Sequence, residues 1–288
     1  MAWGTIIAAY LFLAGVSAGA FLTAVNAPSL WPQGKWSSLT KGGVFLAIPT
    51  MAIGLLLLVI DAEAGLHAPW RFIYLFLNFP GSMMTNGTII ISAFMLVLLA
   101  CGWLLWQKKP LPRALVTAGN LLAVGTAVYT GLLIGVVNTV PLWNTALLPV
   151  LFLVSALSAG MAAAVITGMV LDKNLVAELH AMKKIHFWLL ISELVLIFFL
   201  LYVTGTASDT ARLSVGLLLS GKYAFLFWAG LIVIGLFVPL LIEWREIGNA
   251  EHKGNASLTF LTEGMVLTGG FVLRFLVLAA AIPVNILG

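Results

Sequence analysis

The sequence predicts an all-α integral membrane protein of eight transmembrane helices, arranged as two four-helix bundles related by a parallel repeat. Three observations carry this. The 288 residues are 62% hydrophobic and only 8% charged, with a mean hydropathy of +1.12, whereas soluble domains are about 25% charged. Eight apolar segments each reach the ~20 residues that a helix needs to cross a bilayer core. A small-residue string near the start, Ser17-Ala18-Gly19, returns as Ser158-Ala159-Gly160, 141 residues later.

The eight segments run roughly over 3–27, 38–60, 86–107, 112–137, 146–171, 184–204, 220–242 and 257–282. Strand-type alternation is absent, and lipid leaves no backbone group unpaired at an open sheet edge, so each segment is read as a helix. The apolar run of helix 1 has no Lys or Arg before it and is read as a retained span rather than a cleaved signal. The connections after helices 1, 3, 5 and 7 carry Lys35 and Lys41; Lys108, Lys109 and Arg113; Lys173, Lys183 and Lys184; and Arg245 and Lys253. The other side carries Arg71, Arg212 and Lys222. The positive-inside rule then places both termini outside, in the periplasm, with the protein in a bacterial inner membrane. The net charge of +4 reflects this topology and does not point to nucleic acid.

The repeat divides the sequence into residues 1–140 (helices 1–4) and 141–288 (helices 5–8). Four helices per half is an even number, so both halves enter from the same side and the repeat is parallel. Gly15 and Gly19 in helix 1, and Ala156 and Gly160 in helix 5, let helix backbones approach closely. Strings of Ala, Gly and Ser are also common in membrane helices without any duplication.

Few polar groups within the spans require a role, and a charge there costs about 2.5–3.5 kcal/mol on insertion scales. Arg274 in helix 8, Tyr129 in helix 4 and Asp61 at the outer end of helix 2 are expected to converge in the outer third of the bundle. A quinol headgroup needs hydrogen-bond partners for two oxygens and a base for its protons, which such a set provides. Arg274 is equally readable as a structural ion pair, and Tyr129 as an interfacial aromatic. The connection between helices 2 and 3 runs from Asp61 to Gly87. It mixes carboxylates with His67, Trp70 and Arg71, and is expected to roof the site. Glu193, His186 and Glu263 form a candidate proton path from the inner side, or else a paired set that holds helix register. Trp70 and Trp143 are candidate docking residues for a partner subunit.

Fixed cofactors are not expected. Of four histidines only His186 falls within a span, too few for a bis-His haem. The single Cys101 excludes a Cys-ligated iron–sulfur cluster in this protein. No His/Cys cluster suggests a metal, and no phosphate- or dinucleotide-binding fingerprint occurs.

Several stretches resemble the polysulfide-reductase membrane-anchor family, the NrfD-like quinol-interacting subunits. They are Tyr10 to Gly19; Asp61, Arg71-Phe72, Asn78, Pro80, Ser82-Met83 and Gly87; Tyr129-Thr-Gly-Leu-Leu with Pro141 to Gly160; Leu217 to Gly221 with Phe227-Trp228 and Pro239; and Gly269 to Arg274. The resemblance runs the length of the sequence. It implies two four-helix bundles and a menaquinol or ubiquinol site near the outer face. It also implies a ferredoxin-like iron–sulfur partner and, commonly, a molybdopterin catalytic subunit. Asp61 and Tyr129 fall where the family places quinone-site groups. Some members carry a polar His or Asn at the start of helix 1, where this sequence reads Trp3-Gly4-Thr5; His67 is the substitute proton acceptor. The rival expectations are a secondary transporter and a structural anchor that binds no quinone.

Overall fold

The computed structural model describes residues 4–61, 81–248 and 255–284. The protein is an all-helical multi-pass membrane protein. Its helices are α1 (Thr5–Leu30), α2 (Ser37–Asp61), α3 (Met83–Trp106), α4 (Arg113–Gly135), α5 (Leu147–Leu171), α6 (His180–Ala207), α7 (Asp209–Leu219), α8 (Leu226–Gly248) and α9 (Ala256–Ala279). All except α7 are long and apolar enough to span a bilayer, so the eight expected spans are present.

Two spans are bounded differently from the sequence reading. The seventh span covers Leu226–Gly248 rather than 220–242. Its start is displaced because residues 209–219 form a separate short helix, α7. The Ser208 hydroxyl caps α7 by accepting from the Ala211 N–H at 3.2 Å. Its far end extends because Glu243 is buried inside the protein instead of terminating the helix at the membrane surface. The sixth span starts earlier than expected, at His180, directly after a 3₁₀ turn over Lys173–Glu178.

The helices α1 and α5 form the centre. Two-thirds of the apolar window of each is buried, against 28% for α3 and for α6. They pack on one another; α1 also contacts α2, α4 and α9, and α5 contacts α2, α4, α6 and α9. Between α1 and α5, a methyl group built on Gly160 would overlap the Gly19 backbone, so side-chain-free positions define the closest approach. Ser17 reinforces the neighbouring α1–α2 contact by donating to the Ala47 carbonyl at 2.7 Å. The first half of α8, Leu226–Phe237, is wound as a π-helix, a form usually confined to single turns. It packs on α9 through Gly235 and Gly269, where a methyl on either would lie 2.5 Å from the other's Cα.

Candidate functional site

The apolar interior holds two buried polar groups. The first is built from α1, α3 and α4. Tyr129 lies on the buried face of α4 with Thr126 and Thr130. Its ring lies against Gly87, near the start of α3, where any Cβ would overlap the phenol. Glycine at 87 is thus what makes room for the ring. Tyr10, fully buried on α1, packs against Gly54 of α2 and lies within electrostatic reach of Tyr129. The hydroxyls of Tyr10 and Thr126 have no hydrogen-bond partner among the described residues. An unpaired buried hydroxyl costs about 1–3 kcal/mol, so these two oxygens suit a ligand with hydrogen-bonding atoms. Asp61 closes α2 and is exposed. It lies seven residues beyond Gly54, about 10 Å along the helix. His67, Trp70 and Arg71 lie outside the described residues.

The second group is a file of polar side chains through α5, α6, α8 and α9. Arg274 is fully buried on α9; its Nη1 donates to the Ser155 hydroxyl at 3.1 Å and to the Gly270 carbonyl at 2.8 Å. The guanidinium stacks over Phe152 and Phe12, at 5.2 and 5.8 Å from the ring centroids. A methyl on Gly15 would come within 2.7 Å of its Nη2, so the guanidinium occupies the gap that this glycine leaves in α1. Glu193, on α6, lies near Ser155 and within electrostatic reach of Arg274.

Lys183, His186 and Glu193 share the buried face of α6. His186 Nδ1 lies 2.6 Å from Glu243 Oε1 and 3.7 Å from Glu263 Oε2, with Ser158 Oγ 3.5 Å from its Nε2. Beyond it, Lys183 Nζ pairs with Glu246 at 2.5 Å and lies 3.4 Å from the Thr259 hydroxyl. From Glu263 to Arg274 is eleven residues of α9, about 16 Å of rise. The file therefore extends from one end of the bundle deep into the span.

The structure brings His186 and Glu263 together, whereas Glu193 lies about two turns further along the same buried face of α6, within electrostatic reach of Arg274. Arg274 is not brought to Tyr129 or Asp61: its described contacts lie on α1, α5, α6 and α9. Trp143 requires a correction. Expected in an outward connection facing a partner, it is fully buried, and its indole N–H donates to the Val277 carbonyl at 2.7 Å. It pins the α4–α5 connection onto α9.

Sequence reasoning missed Tyr10, Glu243, Glu246 and Ser155. The seventh span, as expected from hydropathy, stops just short of Glu243. The signal that could have found it is spacing: Glu243 and Glu246 are three apart, as are Lys183 and His186, which on two facing helices makes two matched pairs. His186, Glu243 and Glu263 offer ligand atoms all within 4.8 Å of one another, the set among the described residues with metal-ligating spacing. The 2.6 Å His186–Glu243 contact is itself a short charge-assisted hydrogen bond. A divalent ion would have to replace it.

The polysulphide reductase, NrfD, family model matches residues 1–285. The protein belongs to the NrfD family. This NrfD-family member is 31% identical to one of the polypeptides of the polysulfide reductase of Wolinella succinogenes, over 96% of its own length and 93% of the relative's. It is 29% identical to protein NrfD of Escherichia coli, over 97% and 95% of the two lengths. It is also 26% identical to one of the polypeptides of the selenate reductase of Mesobacillus selenatarsenatis, over 89% of its own length and 70% of that relative's.

Proposed function

We propose that this protein is the quinone-reactive membrane subunit of a respiratory reductase complex. In this reading a menaquinol or ubiquinol headgroup binds in the outer part of the first four helices, between Tyr10 and Tyr129. The observation that carries it is the orphaned Tyr10 hydroxyl, fully buried and within electrostatic reach of Tyr129. The two phenols hold the headgroup oxygens. Asp61, with His67 on the adjoining connection, takes the protons released as two electrons leave, and Arg71 on the same connection helps hold the headgroup. The electrons pass to an iron–sulfur cluster of a docked ferredoxin-like subunit and on to a molybdopterin catalytic subunit. The relatives named as parts of a polysulfide reductase and a selenate reductase support membership of such a complex. The protein lies in the inner membrane with both termini outside, and residues 1–140 and 141–288 form its two halves.

The file from Lys183 to Arg274 serves as a proton path in the second half. His186 exchanges a proton with Glu243 and Glu263, and Ser158 and Ser155 lead toward Glu193, with water bridging the turn of α5 between them. Arg274 holds the Glu193 carboxylate rather than the quinone, and so belongs to the path instead of the expected quinone site.

The test uses the assembled complex. Asp61→Asn and Tyr129→Phe are expected to abolish or sharply lower quinol-dependent turnover while the partner subunits still co-purify. Unchanged quinol oxidation in both variants would count decisively against the site.

A further inference from the structure

The contact between α6 and α8 has two faces. The inward face carries the Lys183–Glu246 and His186–Glu243 pairs. The outward face carries their sequence neighbours, Lys184, Phe187, Trp188, Trp244 and Ile247, which line an open cleft of about 370 Å³. Trp188 and Trp244 expose about two-thirds of their surfaces. Lys184 is exposed too and, unlike Lys183, has no ion-pair partner among the described residues.

We propose that this cleft binds one anionic diacyl phospholipid, with its phosphate on Lys184 and its glycerol and first acyl carbons between Trp188 and Trp244. Three features on these residues favour that occupant. Lys184 is the fifth residue of α6, about 6 Å along the axis from His180, which is headgroup depth for a helix that continues as a membrane span. An unpaired cation at that depth attracts anionic headgroups. Exposed tryptophans at a span end sit at the headgroup level, where one edge meets water and the rest meets acyl chain. A partner protein fits poorly, because a stable interface needs about 1,000 Å² or more of buried surface, whereas five side chains line this cleft.

A lipid held there covers the bilayer side of the α6–α8 seam directly outside the buried ion pairs. It excludes water from that flank and keeps the low dielectric that makes those pairs strong. This role does not depend on whether quinol binds in the first half.

The purified complex, stripped of lipid in detergent, is titrated with phosphatidylglycerol and separately with phosphatidylcholine, and bound lipids are counted by native mass spectrometry. One phosphatidylglycerol is expected to bind in preference to phosphatidylcholine. Lys184→Gln is expected to weaken its binding about fivefold and to remove the headgroup preference, whereas Lys184→Arg retains it. Trp188→Leu combined with Trp244→Leu is expected to lower binding of both lipids. Lys184 is on the surface, so the Gln variant keeps its helical circular dichroism and leaves the count interpretable. Equal binding of the two lipids by the natural protein overturns the proposal. So does unaltered phosphatidylglycerol binding in Lys184→Gln, or a photocrosslink from position 247 that captures a protein subunit instead of lipid.

Discussion

Gly19 of α1 and Gly160 of α5 lie backbone against backbone, each within a Ser-Ala-Gly string. With no hydrophobic force drawing helices together in lipid, such close approach supplies the dispersion contacts that join them. Gly160→Leu is expected to push the two central helices apart and lower the Tm in detergent, overpacking being worth about 1–3 kcal/mol. Gly264→Leu, in α9, where an added Cβ meets nothing within 4 Å, serves as the control and leaves Tm unchanged. Equal losses in both variants would show that this crossing has no special role.

Tyr10→Phe separates ligand binding from stability. The hydroxyl has no partner among the described residues, so its removal is expected to leave Tm unchanged or raise it. If it bonds the headgroup, the KM for quinol rises about tenfold, the effect of one hydrogen bond of roughly 1.4 kcal/mol. A lower Tm with unchanged KM would assign the hydroxyl a structural partner instead.

Glu193 and Arg274 are buried charges within electrostatic reach of one another, and Arg274 donates to the neighbouring Ser155 hydroxyl. Breaking such a pair at one end typically costs about 3–5 kcal/mol, because the other charge is left uncompensated. Glu193→Gln and Arg274→Met are each expected to destabilise strongly, and the double variant to cost less than their sum. Strict additivity of the Tm losses would mean that the two do not interact.

On the proposed path, Glu243→Gln would interrupt proton exchange at His186 while preserving a hydrogen-bonding side chain of the same size. Proteoliposomes that hold the whole complex are expected to oxidise quinol with fewer protons moved per electron, read with an entrapped pH dye. An unaltered proton-to-electron ratio would make the cluster a structural device.

Trp143→Phe removes one buried hydrogen bond, to Val277. A loss of about 1 kcal/mol is expected, seen as a modest fall in Tm, with partner co-purification unaffected. Loss of the partner at unchanged Tm would restore the docking role.

Much of the fold is legible from composition and length. Eight apolar runs, separated by polar connections, are enough to count the spans, because each must satisfy its own backbone in lipid whatever its neighbours do. The close-packing strings at Gly19 and Gly160 can also be read. The site is legible only in part. Glu193, His186 and Glu263 are recognisable as costly charges, but Glu243 escapes notice because an acid at the edge of an apolar run looks like a helix end.

What the sequence alone determined is the membrane class, the number of spans and which residues needed partners. Tertiary structure decided the partners: Arg274 donates to Ser155 with Glu193 in electrostatic reach, Tyr10 lies within electrostatic reach of Tyr129, and Trp143 turns inward onto Val277. The physical reason is that lipid tails are as apolar as the protein interior. A membrane helix therefore carries little patterning to reveal which of its faces meets another helix, and only the packed bundle specifies it.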